Sequence, residues 1–87
     1  MDHDTRLKRL RFRAWHRGTR EADLMIGGFF DAHAVAFDAA ELDLFEALLE
    51  EQDVDIMAWA MGVQPCPDRW VGVVMARMRA MDFVPLP

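Results

Sequence analysis

Arg17-Gly18-Thr19-Arg20-Glu21-Ala22-Asp23 places two arginines, a glycine, a capping residue and two carboxylates in one short stretch. Its reading decides the fold. Before it, Arg6 to His16 is rich in Arg, Lys, Leu and aromatic residues whose apolar positions recur at helical rather than strand spacing. Gly18 suits the position just past a helix end, where φ is usually positive and a Cβ is penalised. Thr19 suits an N-cap, its hydroxyl accepting a backbone N–H of the next helix. Arg17 then lies near the negative end of the first helix dipole, and Glu21 and Asp23 near the positive start of the second. The stretch is a corner between two helices.

Extended outward, the same reasoning predicts an all-α fold, a bundle of five helices without strands in one domain spanning residues 1–87. The first helix covers about 5–16, with Leu7, Leu10 and Ala14 on one stripe and Phe12 and Trp15 on an adjoining one. The second covers about 20–34 and directs Ala22, Met25 and Phe29 inward, with Ile26 and Phe30 widening the stripe. Asp38 followed by Glu41 is a capping box for a third helix over about 38–51, with Leu42, Phe45, Leu48 and Leu49 inside and Asp43, Glu46 and Glu50 wet. A fourth, about 54–61, starts from Asp53, stops at Gly62 and aligns Val54, Met57 and Met61 in one row. The fifth, about 67–81, takes Pro67 as its first helical residue, turns Val71, Val74, Met78 and Met81 inward and ends before Pro85. Short connections favour antiparallel neighbours.

Charge divides the chain. The first 20 residues hold seven Lys or Arg against two Asp, a net of +5, and the rest carries −10. A basic first helix can meet nucleic acid, an acidic protein surface or the protein's own acidic body, or can simply be solvated. With 53% hydrophobic residues the chain is too apolar for a disordered tail, and in 87 residues the core is small. No apolar run is long enough to span a bilayer and the N-terminus lacks an apolar signal core, so a cytoplasmic protein is expected. Cys66, the single cysteine, fits a reducing compartment.

The residues give catalysis little to work with. His3, His16 and His33 have no metal-ligand spacing, the chain contains no serine, and Glu21 and Asp23 point in different directions on a helix. Gly27-Gly28 lies inside a helical pattern with no preceding strand, so it is not a dinucleotide loop. Two mid-helix glycines cost about 1 kcal/mol each against Ala, which implies close approach of another helix or of a partner's backbone. Trp59 and Trp70 read as core anchors. Trp15, beside the corner, reads equally as buried or as an interface anchor.

Arg17-Gly18-x-x-Glu21 followed by Asp23 resembles the RGxxE signature of the small FAD assembly factors of succinate dehydrogenase, the SdhE (YgfY) type with a mitochondrial counterpart. Phe29-Phe30, Leu48-Leu49-Glu50 and Asp53-x-Asp55-x-x-x-Trp59 follow in that family's order and spacing, so the resemblance runs from about Arg9 to Trp59. It implies a YgfY-like bundle and an assembly chaperone rather than an enzyme. Such proteins bind the flavoprotein subunit of succinate dehydrogenase, and often that of fumarate reductase, and promote covalent attachment of FAD to a histidine there. On that resemblance Arg17, Gly18 and Glu21 are the flavoprotein contacts, with Trp15, His16, Arg20 and Asp23 beside them. No stably bound cofactor or metal, no nucleic acid partner, no membrane insertion and a monomer are expected. Two other classes stay open. One is a nucleic-acid-binding or antitoxin-like regulatory module using the basic helix, against which the acidic body repels phosphates. The other is a plain helical scaffold that uses the corner only as a turn.

Overall fold

Asp2 accepts a hydrogen bond from the Thr5 backbone N–H at 2.7 Å, and helix α1, His3–Trp15, begins behind that cap. The computed structural model describes residues 2–80, and α1 starts two residues earlier than its apolar pattern indicates because the capping group is Asp2 rather than a residue nearer Thr5. Leu10 and Ala14 are buried, as the stripe requires. The corner follows. Gly18 has φ +111°, a conformation that L side chains rarely adopt, and the Thr19 hydroxyl accepts from Ala22 N–H to open α2, Arg20–His33.

Ala22, Met25, Ile26, Phe29 and Phe30 are buried along α2. A short 3-10 turn, Ala34–Ala36, swings the chain to Phe37 and to the reciprocal capping box of Asp38 and Glu41 that starts α3, Ala39–Leu48. The chain leaves α-helical pairing after Leu48, where Glu50 and Glu51 N–H turn back to the Ala47 and Leu48 carbonyls; α3 is therefore shorter than the 38–51 expected. Helix α4, Asp53–Met61, ends at Gly62.

Two expectations fail in the second half. The buried row of α4 is Ile56, Trp59 and Ala60, while Val54 is 70% exposed and Met61 also faces out; of the predicted row only Met57 packs partly against the core. Nearly every side chain of this helix is apolar, so its periodicity does not fix its rotation. Pro67 does not open the last helix. It precedes a 3-10 turn, Asp68–Trp70, that buries Trp70, and Gly72 at φ +154° separates this turn from α5, Val73–Ala80. Val71 is consequently exposed, and Val74, Met75 and Met78 form the inner face. Met81 and the expected end before Pro85 lie outside the described residues.

The core sits where α2, the turn after it and α3 meet. The Phe45 ring stands 5.9 Å from Phe29, 5.7 Å from Phe30 and 6.3 Å from Phe37, in the tilted arrangements that aromatic rings favour. Trp59 and Trp70 are both buried, and the Arg79 guanidinium ties α5 to α4 by donating from Nε to the Trp59 carbonyl at 3.0 Å. The described residues form an all-α bundle of five helices without strands, and none of these helices is long and apolar enough to cross a membrane.

Gly27 explains half of the mid-helix glycine pair. A Cβ placed there would stand 2.3 Å from the Trp15 ring, so α1 and α2 are in contact through this glycine. Gly27→Ala gains about 1 kcal/mol of helix propensity but overpacks the contact by about 1–3 kcal/mol. A net loss of stability, with the Trp15 ring pushed out of place, is the expected result, read as a lower midpoint in urea. A variant of raised midpoint would show that the ring yields freely.

Candidate functional site

The corner between α1 and α2 separates the signature residues into an inner and an outer set. Arg17 belongs to the inner set. Its backbone N–H donates to Asp23 Oδ1 at 2.6 Å, which fixes the corner from the α2 side. Its side chain, only 12% exposed, runs across the molecule to the turn between α3 and α4. There Nε donates to Asp53 Oδ1 at 2.7 Å, and Nη2 donates to the Leu49 carbonyl at 2.9 Å and the Glu51 carbonyl at 3.3 Å. The Leu49 carbonyl stands at the C-terminal end of α3, where helices leave acceptors without intrahelical donors, the Glu51 carbonyl stands in the turn beyond it, and Asp53 stands at the positive start of α4. One guanidinium thus serves two helix termini.

Gly18, Arg20 and Glu21 form the outer set. All three are exposed, a Cβ on Gly18 would meet no atom within 4 Å, and the two charged side chains make no hydrogen bond or ion pair among the described residues. His16 stacks on Phe12 at 3.9 Å between ring centroids, and its Nδ1 lies 2.7 Å from the Phe12 carbonyl, which makes Nδ1 the protonated nitrogen. Trp15 is half-buried: its ring lies on Gly27 and its Nε1 donates to Asp31 Oδ2 at 3.2 Å, while Arg11 Nε reaches the other oxygen of the same carboxylate at 3.0 Å. Around these groups is an open depression of about 570 Å³, lined by Trp15, His16, Gly18, Thr19, Arg20, Asp23 and Leu24. A second, of about 520 Å³, runs up α1 along Lys8, Arg11 and Phe12 and shares Trp15 and His16 with the first. Of the residues singled out in the sequence, Trp15, His16, Gly18, Arg20 and Asp23 line the first depression, while the Arg17 side chain is directed inward and Glu21, though exposed, lines neither.

Much of the basic charge of α1 is matched within the chain. Arg6 pairs with Asp43 and Glu46, and Arg13 with Glu50 at 2.7 Å, so the outer side of α3 receives one face of α1. The Arg6 guanidinium is held above its ordinary pKa, first by its hydrogen bond to Asp43. Lys8, Arg9 and Arg20 have no such partner among the described residues. Elsewhere, the half-buried Cys66 thiol is pushed up in pKa by burial, which disfavours the nucleophilic thiolate. No group of three His, Cys, Asp or Glu capable of holding a metal occurs among the described residues. The corner presents a backbone with no side chain at Gly18, a carboxylate and a guanidinium that have no partner among the described residues, and aromatic edges.

Sequence reasoning did not find that Asp53 and the α3–α4 turn belong to the corner. The signal was present in Asp53-x-Asp55-x-x-x-Trp59, but nothing local connects Asp53 to a residue 36 positions earlier.

The family described as "Flavinator of succinate dehydrogenase" matches residues 8–82, most of the chain and all of the corner. "FAD assembly factor SdhE" of Acetobacter pasteurianus is 42% identical over 73 residues, covering 84% of this chain and 67% of that protein. "Succinate dehydrogenase assembly factor 2, mitochondrial" of Meyerozyma guilliermondii is 34% identical over 82 residues, covering 91% of this chain and 61% of its own length. The protein of the same name from Yarrowia lipolytica is 32% identical over 82 residues, covering 90% and 57%. The chain spans less than two-thirds of these two mitochondrial relatives. A match over residues 8–82 that contains the second half of α1, the corner, α2, the α3–α4 turn and α5 leaves one assignment: this chain belongs to the family of flavinators of succinate dehydrogenase.

Proposed function

We propose that this protein is an assembly factor that docks its α1–α2 corner on the flavoprotein subunit of succinate dehydrogenase and promotes covalent attachment of FAD to that subunit. The observation that carries this reading is Glu21, an exposed carboxylate with no partner among the described residues, one turn from a glycine over which there is open space. A carboxylate that ends up accepting hydrogen bonds from a cationic or backbone donor of the partner gains charge-assisted bonds, about twice as strong as neutral ones and demanding in geometry. Gly18 leaves room for the partner's backbone to approach. Arg20, His16 and the free edge of Trp15 extend the contact, and Asp23 braces it by holding the Arg17 backbone.

The protein acts here as a chaperone and not as an enzyme. It holds no flavin of its own; the subunit's groups complete the flavin bond once its domains are fixed in the productive geometry. The fumarate reductase flavoprotein is a second client under this reading, and the factor works as a monomer in the cytoplasm. Against a nucleic-acid module weighs the pairing of Arg6, Arg11, Arg13 and Arg17 with carboxylates of the same chain, which removes charge that phosphates would need.

Reconstitution tests the reading. Apo flavoprotein subunit and FAD are incubated with and without the protein, and covalent flavin is followed by in-gel fluorescence. A marked acceleration by the protein is expected; equal rates would refute it.

A further inference from the structure

Arg17 and Glu21 belong to one signature, yet the Arg17 side chain is drawn into the fold while Glu21 is exposed. Among the described residues the charged partner of the Arg17 guanidinium is Asp53, at 2.7 Å, and Nη2 donates to the Leu49 and Glu51 carbonyls. The turn that receives it is itself tied down, since Arg69 donates to Glu51 Oε1 at 2.8 Å and the short 3-10 turn of Asp68–Trp70 anchors Arg69 beside buried Trp70. On the other side of Arg17, its backbone N–H is held by Asp23, one turn ahead of which stand Thr19 and Gly18. The path from Asp53 to the outer surface is therefore short and made of directed bonds: Asp53 carboxylate, Arg17 guanidinium, Arg17 main chain, Gly18, α2 start.

We infer that Asp53 is a positioning residue for the flavoprotein-binding corner: by fixing the Arg17 guanidinium it sets the backbone at Gly18 and the direction in which Glu21 is presented. This deepens the proposed function and rests on it for the identity of the partner. Arg17 acts from within the fold, through the corner it holds. Three features carry the inference. The Arg17 side chain is nearly buried, so it offers little surface to a partner. Gly18 at φ +111° lacks a side chain that packs, so nothing at that residue itself fixes the corner. Lysine, a compact charge without the guanidinium fork, cannot serve a carboxylate and two carbonyls in the same geometry.

The test uses the full chain and the apo flavoprotein subunit. Affinity is measured by titration calorimetry for wild type, Arg17→Lys, Asp53→Asn and the double variant, all checked for helical circular dichroism. Asp53→Glu, which keeps the charge but displaces it, is the conservative comparison, and Asp38→Ala, which removes the cap at the far end of α3, is the control for general loss of stability. Asp53→Asn and Arg17→Lys are each expected to weaken binding about tenfold. The double variant is expected to be no weaker than the worse single, with Asp53→Glu intermediate and Asp38→Ala unchanged. Wild-type affinity in Asp53→Asn, or single effects that multiply in the double variant, would overturn the inference and return Arg17 to direct contact. The free protein is read separately by amide NMR. Asp53→Asn should shift the Gly18 and Glu21 signals; unmoved signals overturn the positioning role. Should wild type itself not bind the subunit, the functional reading falls, and the NMR result still decides whether Asp53 sets the corner.

Discussion

Phe45→Ala is expected to lower stability by about 3–5 kcal/mol, the usual cost of removing a large buried ring. Phe45 is completely buried and its ring meets those of Phe29, Phe30 and Phe37, so truncation empties the point at which α2, the turn after it and α3 converge. Native domains have about 0.05–0.15 kcal/mol of stability per residue, so for a chain this short the loss takes away a large share of the total. Urea unfolding followed by circular dichroism should show the midpoint fall far or vanish. A loss under about 1 kcal/mol would mean that neighbouring side chains close the cavity, which the interlocked rings make difficult.

The helical members of that cluster were legible in the sequence because each helix has a one-sided pattern; Phe37, in the turn between them, was not. Phe29, Phe30, Leu42 and Phe45 fall on clear stripes, and the Asp38–Glu41 capping box marks where one of them begins. The corner was legible for the same local reasons: Gly18 and Thr19 have few roles other than a positive φ and an N-cap. Helix α4 was not, because Val54, Met57, Met61, Ile56 and Trp59 are all apolar and the pattern does not distinguish an inner row from an outer one. What sets its rotation is long-range, including the hold of Arg17 on Asp53 at its first residue. The late start of α5 follows from Gly72 and from the burial of Trp70 in a 3-10 turn, a preference that Pro67 alone does not reveal.

The candidate site divides in the same way. That Trp15 to Asp23 adjoin one another at a helix corner was readable, since they are consecutive in the chain and flank Gly18. The direction of each side chain was not. Arg17 looks like an exposed charge in sequence, and only the fold shows it spanning to Leu49, Glu51 and Asp53. Glu21, three residues after Gly18, is exposed and has no partner among the described residues, so its removal tests the proposed contact with little cost to the fold.

Glu21→Ala isolates that separation. If the carboxylate serves only the start of α2, its removal costs a favourable dipole interaction of about 0.3–1 kcal/mol and leaves function intact in a folded sample. If it accepts hydrogen bonds from the flavoprotein, the partner's donors are left unpaired in a desolvated contact, a penalty of about 1–3 kcal/mol or more for charged groups. Gly18→Arg would also obstruct the approach, but the positive φ at Gly18 makes that change costly to the fold itself, so a lost activity there would be ambiguous. The decisive measurement is covalent flavin attachment to the apo flavoprotein subunit, read by in-gel fluorescence with equal amounts of folded wild-type and Glu21→Ala protein. The account predicts a rate at least tenfold lower for the variant, with its circular dichroism and urea midpoint nearly unchanged. A folded Glu21→Ala protein that drives attachment at the wild-type rate would contradict it.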